Sequence, residues 1–73
     1  MNISVEKKGD ELKIYIDSIL HLYIREKLIG IQSYILEHRF YCIDFYTKHK
    51  TITVEYENKQ HWIEVLEKIN SYL

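Results

Sequence analysis

The hydrophobic positions repeat most regularly near the C-terminal end of the chain, where they recur every three or four residues. One side of a helix would carry five of them: Trp62, Val65, Leu66, Ile69 and Leu73. Asn58 can cap the first turn, so the pattern predicts a helix from Lys59 to about Tyr72. We expect Trp62 to anchor this helix onto a sheet, near Ile52 or Val54.

Two segments before the helix alternate apolar and polar residues, as half-buried strands do. They are residues 40–46 and 51–57, and the short polar connector 47–50 between them predicts a hairpin. Matching the apolar faces sets the register. The expected cross-strand pairs are Phe45 with Ile52, Ile43 with Val54, and Tyr41 with Tyr56.

A third strand is predicted at residues 28–36, before the polar turn 37–39. A three-residue loop would place Ile35 opposite Tyr41 and Ile31 opposite Phe45, on the face that the helix covers. The same register places Gly30 opposite Tyr46 on the other face, where an aromatic ring can cover a glycine. The C-terminal half is therefore expected to be a three-stranded antiparallel meander packed by a helix.

The N-terminal third fits two patterns. The sequence Lys8-Gly-Asp predicts a turn between two alternating segments, with a further strand from Ile19 to Ile24. Residues 11–27 also fit a helical stripe with Asp10 as its cap. The chain has no alanine and is rich in isoleucine and tyrosine, which favours strands. The predicted fold is α+β: an antiparallel meander of five to six strands packed by one C-terminal helix, with an N-terminal helix as the alternative.

This order of strands and helix resembles that of pleckstrin-homology-like half-barrels. The resemblance rests on element order alone and implies nothing about activity. The 73 residues make a single small domain, residues 1–73. Hydrophobic residues are 47% of the chain, which is too apolar for a disordered protein.

Charge and cysteine content narrow the classes of function. Ten basic residues against eleven acidic ones give a net charge of −1, which disfavours nucleic-acid binding. A single cysteine excludes a disulfide scaffold and indicates a reducing compartment. No apolar run approaches the ~20 residues of a membrane span. We expect a cytoplasmic protein without membrane association.

The sequence contains no catalytic motif. Its four histidines have no metal-ligand spacing, and Cys42 lies beside the acidic Glu55 in the expected register, which disfavours a thiolate. The carboxylates of Asp44 and Glu55 are diagonal to each other and fit a solvated sheet face. We therefore expect no enzyme, no metal site and no cofactor.

The outer face of the predicted meander is unusually apolar for a surface that meets only water. It carries five residues that we call the outer-face patch: Tyr34, Leu36, Phe40, Cys42 and Tyr46. Either the N-terminal strands fold over the patch, or it is an interface with a partner.

The leading functional hypothesis is a non-enzymatic protein-binding module that forms a homo-oligomer or binds another protein, because small domains often gain stability by association. The alternatives are a pocket for a small ligand or nucleotide between sheet and helix, and a small inhibitor from a mobile element that blocks a partner's surface.

Overall fold

Six antiparallel strands and one C-terminal helix form the protein in the computed structural model, which describes residues 2–72. The elements are β1 Ile3–Lys8, β2 Glu11–Ile16, β3 Ile19–Ile24, β4 Leu28–Leu36, β5 Phe40–Thr47, β6 Thr51–Tyr56 and α1 Lys59–Asn70. This confirms the predicted α+β fold. The alternative of an N-terminal helix is wrong, because residues 11–27 contain β2 and β3.

The strands form two three-stranded sheets, with orders β1-β2-β3 and β4-β5-β6. Every register that we predicted in the second sheet is confirmed, including Ile43 opposite Val54 and Gly30 opposite Tyr46. A β-bulge between Leu28 and Gly30 interrupts the pairing of β4 with β5. The ladder of hydrogen bonds is broken between β3 and β4, which are joined by the charged connector 25–27.

The core lies between the inner faces of the two sheets and one side of α1. Five of its side chains have no exposed surface: Ile14, Ile43, Phe45, Val65 and Ile69. The first sheet thus packs on the inner face of the second sheet. The first sheet therefore does not cover the outer-face patch, and the apolar residues of the patch need another explanation.

The helix begins where the sequence predicts. The Asn58 side chain accepts hydrogen bonds from the backbone N–H groups of Gln60 (2.8 Å) and His61 (3.2 Å). The helix ends at Asn70, slightly before the expected Tyr72. Trp62 donates its indole N–H to the carbonyl of Cys42 (2.9 Å), and its ring lies 5.3 Å from that of Tyr41, so its anchor is on β5.

The 12-residue helix is far shorter than a bilayer is thick. Within residues 2–72, no helix combines the length and the apolar character that crossing a membrane requires.

Candidate interaction surface

The outer-face patch is assembled by direct pairing of β4 with β5. Tyr34 lies opposite Cys42, and Leu36 lies opposite Phe40. Cys42 is fully buried, whereas Tyr34, Phe40 and Tyr46 are half-buried. Leu36 remains 45% exposed. The structure therefore brings the five predicted residues onto one face and leaves one of them, Leu36, strongly exposed.

A hydrogen-bonded network around the Asp44 carboxylate lies within this patch. Tyr34 donates to Oδ1 of Asp44 (3.0 Å), and Thr53 donates to the same oxygen (2.7 Å). The Tyr46 hydroxyl lies 2.7 Å from Oε1 of Gln32 and 3.4 Å from Oδ2 of Asp44. The sequence predicts Asp44 on a solvated sheet face but does not predict these tyrosine hydroxyls. The Tyr34 hydroxyl reaches Asp44 diagonally from β4, and the Tyr46 hydroxyl reaches it from two residues along β5.

The pKa values of two tyrosines and of the cysteine in this patch are raised. The hydrogen bond to Asp44, followed by burial, raises the pKa of Tyr34. Burial and the nearby Asp44 charge raise the pKa of Tyr46. Burial, with the charges of Glu55 and Asp44, likewise raises the pKa of the Cys42 thiol. A protonated, buried thiol is a poor nucleophile, so the patch offers packing and hydrogen bonding rather than nucleophilic chemistry.

The edge of β4 is a second feature of the same sheet. Among residues 2–72, β4 pairs with β5 alone, so its other side is an edge. Its nine residues, Leu-Ile-Gly-Ile-Gln-Ser-Tyr-Ile-Leu, include no charge and no proline. Ile29 is 63% exposed and Ile35 is 48% exposed. Long, uncharged and apolar edges readily pair with another strand.

The other edge strands differ from β4. β1 carries Glu6, Lys7 and Lys8, and the Tyr72 hydroxyl after the helix bonds to the carbonyl of Val5 (3.3 Å). β6 is shorter and contains Glu55. β3 has no charged residue, and its Ile19 is 72% exposed, but the strand is only six residues long, compared with nine in β4. Charges and short length are the usual protections of a sheet edge, and β4 has neither. The signal was present in the sequence as nine consecutive uncharged residues.

An open cleft lies between the β1–β2 turn and the start of β4. Its volume is about 440 Å³, and its lining combines apolar side chains such as Leu12 and Ile31 with Lys7, Lys27 and Asp10. Tyr72 contributes to the same wall. The alternative hypothesis of a ligand-binding protein places a pocket between sheet and helix, whereas this cleft lies mainly between the two sheets.

His21 and His61 lie near each other, whereas His38 and His49 lie in two separate turns. Nε2 of His21 lies 2.8 Å from the hydroxyl of the buried Tyr56, and the rings are 5.3 Å apart. Burial, with a smaller effect of His61, lowers the pKa of His21, and burial raises that of Tyr56. His38 and His49 lie in exposed turns, as predicted. In the described part of the chain, no three His, Cys, Asp or Glu side chains are grouped so that they could hold a metal ion.

Comparison with known proteins assigns the chain to no group. No protein-family model matches it, and neither a curated protein nor a solved structure is significantly similar to it.

Proposed function

We propose that this protein is a non-enzymatic protein-binding module that adds an extended strand of its partner to the edge of β4. The observation that carries this proposal is the edge itself: nine residues without charge or proline, paired on one side. Strand addition of this kind uses main-chain hydrogen bonds for affinity and alternate side chains for specificity.

The side chains along β4 support this mode of binding. The side chains of Ile29, Ile35 and Leu36 are exposed to water, and pairing with another strand would bury part of their apolar surface. Each fully buried aliphatic side chain contributes about 1.5–3 kcal/mol relative to an exposed one. Because β4 has no charge, no ionic group would be desolvated in the process.

The outer-face patch extends this surface sideways from the edge. Tyr34 and Leu36 belong to both features, since they lie on β4 and point to the outer face. The Asp44 network fixes the Tyr34 ring in place before any partner arrives. A side chain that is already ordered loses less entropy when it is buried at an interface.

A second candidate function is binding of a small amphipathic anion in the cleft beside β4. The observation that favours it is the pairing of an apolar wall with Lys7 and Lys27. Native mass spectrometry of the purified protein would test it. A copurifying ligand that is lost in Lys27→Glu would support it, and a bare chain mass would count against it.

Selection from a library of displayed extended peptides tests the leading proposal. The wild-type domain should enrich peptides that Ile35→Lys does not bind, because a lysine on the edge opposes strand addition. Ile19→Lys is the matched control, since Ile19 is an exposed isoleucine of the other sheet. The proposal fails if the peptides enriched by the wild type bind Ile35→Lys equally well. It also fails if no peptide is enriched and the protein does not self-associate.

A further inference from the structure

In the described part of the chain, a single hydrogen bond joins a strand of one sheet to a strand of the other. Nε2 of His21, on β3, lies 2.8 Å from the hydroxyl of Tyr56, the last residue of β6. No backbone ladder connects the two sheets, and within residues 2–72 no other hydrogen bond or ion pair links their strands. Apart from this contact, the strands of the two sheets meet through their shared apolar core.

A bulge in β3 aims His21 at this contact. The pairing of β3 with β2 steps from Leu22 to Leu20, so His21 between them has no partner across the ladder. In an uninterrupted strand, His21 would face away from Leu22, which packs against the core. A bulge re-aims the side chain of the unpaired residue, and here the His21 ring reaches the buried hydroxyl of Tyr56.

The burial of Tyr56 sets the direction of this hydrogen bond. Only 4% of Tyr56 is exposed, and His21 is the one partner of its hydroxyl among the described residues. Leaving the proton of a buried hydroxyl without an acceptor is costly. The hydroxyl therefore donates and Nε2 accepts, which requires a neutral His21 ring with its proton on Nδ1.

We propose that His21 and Tyr56 form a pH-sensitive latch, in which neutral His21 holds β3 against β6 and protonation of Nε2 releases the two strands. A protonated imidazole has a donor at each nitrogen and no acceptor. The Tyr56 hydroxyl would then meet an N–H group, and its own proton would lose its acceptor. The latch concerns the contact of β3 with β6 and does not depend on strand addition at β4.

The groups around His21 oppose a positive charge on its ring. Burial, followed by the positive charge of His61 in the first turn of α1, lowers the pKa of His21. Tyr56 approaches from β6, and burial raises its pKa, so it supplies no negative charge. On β2, the residues beside the bulge are Ile14 and Tyr15, neither of them charged at neutral pH. Among residues 2–72, no carboxylate acts on His21 to offset these effects.

The first experiment identifies the tautomer of His21 by nuclear magnetic resonance. At pH 7.5, long-range ¹H–¹⁵N correlation of the imidazole should show a proton on Nδ1 and none on Nε2. A proton on Nε2 at this pH overturns the inference, because Nε2 would then already donate and further protonation would remove no acceptor.

The second experiment lowers the pH from 7.5 until the His21 ring is fully protonated. The nuclear Overhauser effect between the rings of His21 and Tyr56 should fall at least fivefold as His21 titrates. The rings of Tyr41 and Trp62, whose centroids are also 5.3 Å apart, should keep theirs and serve as the internal control. A His21–Tyr56 contact that persists with protonated His21 overturns the inference. Simultaneous loss of both contacts also overturns it, because the whole fold would then be opening.

Three variants separate the latch from a general effect of acid. His21→Gln offers an amide oxygen that accepts from Tyr56 and does not titrate, so contacts between the Tyr56 ring and β3 should become independent of pH. Tyr56→Phe has no hydroxyl proton to lose its acceptor, so its response to pH should be at most half that of the wild type. His49→Gln, in an exposed turn, is the control and should respond fully. A full wild-type response in either His21→Gln or Tyr56→Phe overturns the latch.

Discussion

The two faces of β5 show how one strand serves two different purposes. On the inner face, Ile43 and Phe45 are completely buried among apolar side chains of both sheets and α1. On the outer face, Asp44 and Tyr46 alternate with them and take part in a network of hydroxyl, amide and carboxylate groups. The inner face is held by burial of apolar surface, and the outer face by hydrogen bonds that water can partly replace.

This difference determines what each face can tolerate. A cavity in the inner face leaves apolar atoms without neighbours, and nothing can fill it. A lost partner on the outer face can be replaced by solvent, so its cost is smaller. Residues on the outer face and along the adjoining β4 edge can therefore be substituted at a smaller cost in stability than residues of the core. The proposed binding surface lies in this more tolerant part of the molecule.

The sharpest test compares neighbouring aromatic residues on opposite faces. Phe45→Ala should lower the free energy of unfolding by about 3–5 kcal/mol, the usual cost of removing a buried phenylalanine. Tyr46→Ala, one residue away on the outer face, should cost at most about half as much. Urea denaturation monitored by circular dichroism measures both. Equal losses would contradict the assignment of the faces.

The helix anchor should rank next. Trp62→Ala removes the contact with Tyr41 and the hydrogen bond to the Cys42 carbonyl, and we expect a loss of about 3 kcal/mol because the indole is half-buried. Trp62→Phe keeps an aromatic ring and should recover most of this loss. A thermal melt of Trp62→Ala that matches the wild type would show that α1 docks without its tryptophan.

The Asp44 network should have a moderate effect. Asp44→Ala leaves the hydroxyls of Tyr34 and Thr53 without their common acceptor, so unfolding should become easier by about 1–2 kcal/mol. Asp44→Asn retains an acceptor oxygen and should cost less. Comparison of the two variants by urea denaturation checks the role of the network. An Asp44→Asn variant less stable than Asp44→Ala would contradict it.

The smallest expected effect concerns pH. The pKa of His21 is lower in the folded protein than in the unfolded chain, where it is about 6.5. Below that pH the unfolded chain therefore binds a proton more readily than the folded protein, so folding is favoured less. This contribution to stability is complete above about pH 6.5 and is lost as the pH falls from there toward the folded pKa. The melting temperature should therefore drop between pH 7.5 and 5.5, and the drop should be smaller in His21→Gln. Parallel profiles for the two proteins would contradict it.

Strict alternation made the second sheet predictable in detail. Residues 51–57 alternate without exception, and a one-residue slip would turn Ile52 from the core to solvent. The helix start was equally clear, because the Asn58 side chain acts on backbone groups two and three residues away. These signals are local, so a single sequence contains them.

The sequence by itself determined the strands of the second sheet, their register, the helix and the uncharged character of β4. Only the tertiary structure decided that the ladder breaks between β3 and β4, that the first sheet packs on the inner face, and that tyrosine hydroxyls converge on Asp44. The physical reason is distance along the chain: alternation and capping act between neighbours in sequence or across a short turn. Which face a second sheet covers, and which strand is left as an edge, depends on contacts between residues far apart, such as His21 with Tyr56.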